Sequence, residues 1–174
     1  STGYNLTQLM VGSEGTLGVI TKVVFRLIPL PLENLVMLVP FFESEKACEA
    51  VSAIFRKGIT PSALEFMERD AIDWVMKFVE GINIDVKEGI QAHLLIELDG
   101  NNKELLLHDA EKISEVVMEF NCDEILFAED NAQKEMLWKM RRRVAEAVKS
   151  NSVYKEEDTV VPRAELPVLL KGVK

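Results

Sequence analysis

A period of two marks the strands of this chain. From residue 91 to residue 98, Ala92, Leu94, Ile96 and Leu98 occupy every second position, which predicts a β-strand. Shorter apolar runs predict three further strands, at residues 35–41, 62–66 and 124–128.

A period of three to four marks helices between and after these strands. Ser44 is predicted to cap the first helix and Gly58 to end it, while Asp130 is predicted to cap the last. The predicted helices cover residues 44–58, 69–79, 106–120 and 130–150.

The order of elements from residue 35 to residue 128 is β-α-β-(α)-β-α-β. This is the split βαβ, or ferredoxin-like, order. It predicts an α+β fold in which an antiparallel sheet carries helices on one face.

Residues 1–30 differ from the remainder. Residues 1–18 are rich in Gly, Ser and Thr, and residues 19–28 form a β-type run that Pro29 and Pro31 close. The prolines predict a boundary that divides the chain into segments 1–30 and 31–174.

Composition narrows the classes of partner. With 48% hydrophobic residues the chain can form a core, and a net charge of −9 disfavours nucleic acid and anionic lipid as partners. No apolar run approaches the roughly 18 residues that a membrane span needs, and no signal peptide begins the chain, so the cytoplasm is the default compartment. Cys48 and Cys122 indicate no disulfide framework, and Cys48 is expected to be a buried thiol.

Residues 12–21, GSEGTLGVIT, are the first candidate for chemistry. Three glycines at a spacing of three let the backbone approach a bulky planar or phosphorylated ligand, but they also suit a tight turn before a strand. A dinucleotide fingerprint requires a different spacing and a helix afterwards, so a Rossmann site is disfavoured.

Together with TGYNL at residues 2–6, this stretch resembles the end of the FAD-binding domain in flavoenzymes of the vanillyl-alcohol-oxidase type. It is most similar to the branch of glycolate oxidase D subunits and D-lactate dehydrogenases. The resemblance implies that residues 1–30 end an FAD-binding domain and that residues 31–174 form a truncated substrate-side cap domain. It implies FAD contacts for the following residues: Gly12, Ser13, Glu14, Gly18 and Ile20.

The second candidate is Arg141, which a helical wheel places at the edge of the apolar stripe of the last helix. A guanidinium there needs a partner, because an unpaired buried charge is costly. A substrate carboxylate would satisfy it, and so would Glu129, Glu156, Glu157 or a turn toward water.

The third candidate is Lys155, which from composition alone belongs to a solvated polar face. However, LWKMR at residues 137–141, Lys155 and DTVVPR at residues 158–163 resemble the cap domain of the same family. The resemblance implies that Arg141 and Lys155 hold a substrate carboxylate. Some members carry a threonine where this chain has Ala145, so their preference for larger substrates does not carry over.

ALEFMERDA at residues 63–71 also matches the cap-domain pattern, and Glu65 is interpreted as structural or supporting. His93 and His108 each lack a partner at metal-ligand spacing and are interpreted as ordinary polar residues. The family's His-x-Gly-Asp-Gly-Asn-x-His segment does not occur in these residues, so the resemblance implies no metal ligands or proton acceptor here.

The resemblance therefore implies a fragment of an FAD-dependent oxidoreductase that oxidises a small D-2-hydroxy acid of the glycolate or D-lactate class. The fragment alone is expected to be inactive and not to retain FAD. Its expected partners are the 2-hydroxy acid and the missing FAD-domain portion, with a homodimer or partner subunits left open. The alternative is a non-catalytic ferredoxin-like module for ligand binding or dimerisation.

Overall fold

The computed structural model describes residues 3–173 and divides the chain into two units, Ser1–Leu30 and Pro31–Lys174. The first unit holds one short helix, α1 (Leu6–Met10). The elements of the second unit, in chain order, are β1 (Glu33–Phe41), α2 (Ser44–Arg56), β2 (Ala63–Glu68), α3 (Arg69–Phe78), β3 (Ala92–Gly100), α4 (Lys103–Met118), β4 (Leu126–Phe127), α5 (Asn131–Asn151), a 3₁₀ turn (Arg163–Glu165) and α6 (Leu166–Val173).

The four strands form one antiparallel sheet in the order β2-β3-β1-β4. The long strands β1 and β3 are central, and β4 is a two-residue edge strand. This is the order that a ferredoxin-like split βαβ fold requires. The predicted α+β fold with an antiparallel sheet is confirmed.

One face of the sheet, here called the first face, packs against α2 and α4. Val39, Phe41 and Leu94 project from this face and are fully buried together with Ile54 of α2 and Ile113 of α4. The apolar stripes predicted for these two helices therefore supply the main core.

The opposite or second face carries Val36, Leu38 and Leu95, which α3 and α5 cover. The expectation of helices on one face alone is corrected by this layer. The apolar stripe of α3, which includes Ile72 and Val75, requires a surface to cover, and the second face provides it. The sheet is consequently buried on both sides.

Helix ends follow the expected chemistry at most positions. Asp130 caps α5 by accepting from the Gln133 amide at 2.8 Å, as predicted. Gly58 follows α2 with φ of +81°, a conformation that glycine adopts without strain. Ser44 is not the cap of α2: Glu43 holds that position without a side-chain bond, and Ser44 is the buried first residue of the helix.

Residues 19–28 were predicted as a strand, but within the described part of the chain they make no strand ladder. Their side chains are exposed, with Val24 91% and Ile28 82% accessible. A β-type sequence forms a strand only when a neighbouring strand accepts its backbone hydrogen bonds. No strand among residues 3–173 does so for this run, and the prediction is wrong for this structure.

Cys48 is a buried residue of α2, as predicted. Over residues 3–173, neither it nor Cys122 forms a disulfide. Within the same residues, no helix combines the length and the apolar character that crossing a bilayer would demand.

Candidate functional site

The helix α5 carries the first candidate residue. Leu137, Met140 and Ala147 are fully buried against the second face and fix the rotation of the helix. Lys134 anchors its first turn by donating to the main-chain oxygen of Asn34 at 2.7 Å. Arg141 follows directly after the buried Met140 and lies at the edge of this packed stripe, as the wheel predicted.

The guanidinium of Arg141 is paired with Glu65 of β2. Its Nε donates to Glu65 Oε2 at 2.8 Å, and the two side chains are 37% and 34% exposed. The alternative partners considered from the sequence, Glu129, Glu156 and Glu157, are not used. Among residues 3–173 no acceptor binds Nη1 or Nη2 of Arg141, so one edge of the fork is available to a ligand.

The next two arginines of α5 are oriented differently. Arg142 is exposed and pairs with Glu135, about two turns earlier on the same helix. Arg143 pairs with Glu146 at 2.7 Å and lies over the Phe78 ring at 5.7 Å. Of the three arginines, Arg141 is the least exposed, and it is the one whose ion pair is made through Nε and leaves both Nη groups unpaired among the described residues.

Lys155 lies in the irregular segment that follows α5. Its side chain is 84% exposed and pairs with Glu157 two residues later. The structure gives Arg141 and Lys155 separate carboxylate partners. Lys155 is thus an accessible cation, and its role in binding substrate stays a prediction.

The glycine-rich segment belongs to the first unit and is exposed. Gly12 and Gly15 have φ of +80° and +77°, and Glu14 between them has φ of +49°. The main-chain oxygen of Ser13 accepts two hydrogen bonds from Thr16, one from its amide at 2.9 Å and one from its hydroxyl at 2.6 Å, and these close a turn. The tight glycine turn considered from the sequence is present, whereas the strand expected to follow it does not form.

These residues fit a supporting part in a flavin site. A Cβ built on Gly12 or Gly15 would meet no atom within 4 Å, so the backbone is open to a planar ligand. Gly18 is tighter, because its Cβ would lie 3.2 Å from the Met10 methyl group. Ile20 is 61% exposed and offers an apolar surface.

No group of three metal-ligating side chains exists between residues 3 and 173. His108 is exposed on α4, as expected for an ordinary polar residue. His93 departs from the prediction, since it lies on the second face with 2% of its surface exposed. Burial, with a smaller contribution from the positive charge of Arg69, lowers the pKa of His93 to about 4.

Two features of this region escaped the sequence analysis. The pairing of Arg141 with Glu65 depends on β2 being a neighbour of β3, with Glu65 opposite Leu95. The burial of His93 depends on α3 and α5 covering the second face. The unassigned apolar stripe of α3 was the signal that could have indicated this cover.

Residues 30–174 match a known protein family, which is described as "FAD linked oxidases, C-terminal domain". The chain belongs to this family. The resemblance inferred from the sequence motifs is thereby confirmed, and membership of an FAD linked oxidase family implies FAD as the cofactor of the parent protein.

Curated relatives of this FAD linked oxidase domain are about two and a half to three times its length. A D-lactate dehydrogenase of Anaerostipes hadrus is 36% identical over the whole chain, which spans 38% of that protein. The glycolate oxidase subunit GlcD of Escherichia coli K12 is 34% identical over 99% of the chain, which spans 34% of it. The chain thus spans little more than a third of these relatives.

A solved structure supports the fold. An alkyldihydroxyacetonephosphate synthase superposes on 99% of the chain with a TM-score of 0.58 and 16% sequence identity, the chain covering 30% of that protein. At 16% sequence identity, this structural similarity supports the fold of the FAD linked oxidase domain and does not indicate a particular reaction.

Proposed function

We propose that the parent protein is an FAD-dependent dehydrogenase or oxidase that converts a small D-2-hydroxy acid to the 2-oxo acid. Glycolate and D-lactate are the substrate class. The family and the relatives named as D-lactate dehydrogenase and glycolate oxidase subunit support this proposal.

Arg141 is the observation that carries the proposal. A planar guanidinium matches a carboxylate with two parallel hydrogen bonds, which fix the orientation as well as the position of the acid. Because Glu65 engages Nε, the two Nη groups form the edge that would bind the substrate carboxylate. All 2-hydroxy acids share that carboxylate, so this contact is suited to the whole class.

In the proposed reaction the α-hydrogen leaves as hydride and the hydroxyl proton passes to a base. FAD, when bound, supplies the hydride acceptor. Arg141 would neutralise the carboxylate and hold the α-carbon in one orientation, which lowers the entropic part of the barrier. Lys155 would add a second positive charge near the acid. No residue of this chain is assigned as the base.

The glycine-rich segment would supply part of the FAD surface in this proposal. Gly12 and Ser13 would present main-chain groups at the turn, and Gly18 would let the ligand approach closely. Glu14 and Ile20 would lie against the cofactor as a polar and an apolar side chain. Residues 1–30 are accordingly proposed to be the end of the FAD-binding domain, and residues 31–174 the cap domain.

The test compares two neighbouring arginines in the parent protein. We expect Arg141→Ala to lower kcat/KM for D-lactate and glycolate about 100-fold, because charge-assisted hydrogen bonds to the carboxylate are lost. Arg142→Ala is the matched control, since Arg142 is exposed and pairs only with Glu135 among residues 3–173. It should retain activity within about threefold. Equal activity of both variants would refute the role of Arg141.

Substitutions of Glu65 test whether its hydrogen bond orients the Arg141 guanidinium. Glu65→Ala should raise KM about tenfold by releasing Nε of Arg141, whereas Glu65→Gln, which keeps an acceptor oxygen, should restore binding. The measurement is KM and kcat for both variants with D-lactate. If Glu65→Gln behaved like Glu65→Ala, the negative charge rather than the hydrogen bond would set the orientation.

A further inference from the structure

A cleft of about 510 Å³ lies between the sheet, the first turns of α5 and the loop before β3. Arg141, Glu65 and Lys155 are not among the residues that line it. Its volume falls within the range of small-molecule sites, about 300–1,000 Å³. The cleft is therefore large enough for a ligand and distinct from the carboxylate site proposed above.

Most of the wall is apolar. Leu38 of β1, Leu137 of α5 and the loop residues Ile84 and Ile90 line the cleft, and all four are at least 90% buried. Leu38, Ile84 and Leu137 are held by the second-face packing, so this part of the wall exists without a ligand. Such a surface favours a ligand with an apolar body.

His93 is a polar group in this wall with unmet hydrogen bonding. It is 2% exposed, and its Nδ1 is buried without an acceptor or donor among residues 3–173. A buried polar atom left without a partner costs about 1–3 kcal/mol. A ligand whose hydroxyl or carbonyl group reached Nδ1 would remove that cost; because Nδ1 is closed to solvent, its neighbours must shift slightly to allow this contact.

The charge state of His93 limits the chemistry of the ligand. Because the pKa of His93 is lowered to about 4, the ring is neutral at pH 7 and offers one donor and one acceptor. A neutral imidazole has no charge with which to attract an anion. It matches a hydroxyl or a carbonyl group.

The polar part of the lining disfavours anions further. Lys87 is bound by Asp123 at 2.9 Å and lies 3.9 Å from Glu124, and Asp85 also lines the cleft. Three carboxylates thus accompany one ammonium, and that ammonium is already paired. A negatively charged ligand would meet a net negative field, and a positively charged one would lose its hydration against the aliphatic wall.

We propose that this cleft binds an uncharged small organic molecule, with an apolar body against the aliphatic wall and one hydroxyl or carbonyl group hydrogen-bonded to His93. It would be a second ligand site of the cap domain, separate from the site for the anionic substrate.

Three probes that share a phenyl ring test the proposal on the 174-residue chain at pH 7: benzyl alcohol, benzylamine and benzoate. Chemical-shift titrations should give saturable binding of benzyl alcohol with a Kd of about 1 mM, as expected for eight heavy atoms. The shifts should concentrate at Ile84, Ile90 and the ring nitrogens of His93. Benzoate should bind at least about tenfold more weakly.

The proposal is overturned if benzyl alcohol gives no saturable shift, or if benzoate or benzylamine binds more tightly than the alcohol. The ring-nitrogen shifts of His93 need no substitution, so the test stands even if a variant fails to fold.

Variants then assign the hydrogen bond. His93→Phe keeps a ring without nitrogens and should raise the Kd of benzyl alcohol at least about fivefold. His93→Gln, which keeps a donor and an acceptor, should leave the Kd within about threefold of the original value. His108→Phe, the same substitution at an exposed histidine outside the cleft, is the matched control and should not change the Kd. Unaltered binding by folded His93→Phe would exclude His93 as the contact.

Discussion

Arg141 and His93 are ionisable side chains on the same side of the sheet, and their charges are handled in opposite ways. The Arg141 guanidinium, which stays charged in proteins, is 37% exposed and paired with Glu65. Burial, with a smaller contribution from the Arg69 charge, lowers the pKa of His93 and keeps its ring neutral at pH 7. A buried group that can lose its charge does so, whereas a guanidinium needs a carboxylate partner.

The burial of His93 predicts a pH dependence of stability. Its folded-state pKa of about 4 is below the usual 6.5, so between these values the unfolded chain binds more protons than the folded chain. The stabilisation is complete above pH 6.5 and is lost as the pH falls toward 4, by about 3 kcal/mol in total. Urea unfolding at several pH values between 4 and 7 measures this loss.

The comparison variant is His93→Gln, which cannot titrate. Other groups facing the ring are Arg69 and Asp73 of α3 and, across the cleft, the pair of Lys87 and Asp123. These groups remain in the variant, so the difference between the two pH profiles isolates His93. Parallel profiles from pH 7 to pH 4 would show that the ring is not buried in solution.

The positions of these residues could be predicted from the sequence only in part. The wheel of α5 placed Arg141 at the edge of the stripe because helical periodicity is local. The partner Glu65 lies 76 positions away and required the strand order β2-β3-β1-β4. His93 was misjudged because Gln91 and Glu97 on the same face are polar, although Leu95 between them is fully buried.

At the scale of elements, the second helical layer explains why the sheet tolerates so few polar positions. α3 and α5 pack on each other as well as on the second face. The sequence predicts the apolar stripes of both helices. It does not predict which surface they cover, because a ferredoxin-like order by itself requires helices on one face only. An inserted amphipathic helix with no assigned surface indicates a second layer.

Leu137 tests the importance of that layer. Its side chain is fully buried between α5 and the second face, so Leu137→Ala should lower the free energy of unfolding by about 2–5 kcal/mol through lost burial and a residual cavity. Urea unfolding monitored by circular dichroism gives the value. Leu105→Ala on α4 is the matched control, because Leu105 is 59% exposed and should change stability by less than about 0.5 kcal/mol. Equal effects would contradict the packing of α5.

At the scale of the whole chain, the first unit contributes no core. None of the side chains from residue 3 to residue 30 is buried, whereas the two buried clusters on the sheet faces lie entirely within the second unit. The sequence indicated the division through Pro29 and Pro31. It could not indicate that residues 19–28 lack a strand partner, because pairing is a property of the neighbouring chain segments.

Residues 31–174 should therefore fold without the first unit. A protein that lacks residues 1–30 should melt cooperatively within about 3 °C of the full chain, since both buried clusters are retained. Removing residues 166–174 is the informative comparison, because Leu166 packs against the first-face core and α6 packs against α2. That shorter deletion should lower Tm by more than about 4 °C, through loss of apolar burial. A larger loss from the 30-residue deletion than from this one would mean that the first unit contributes to the stability of the second.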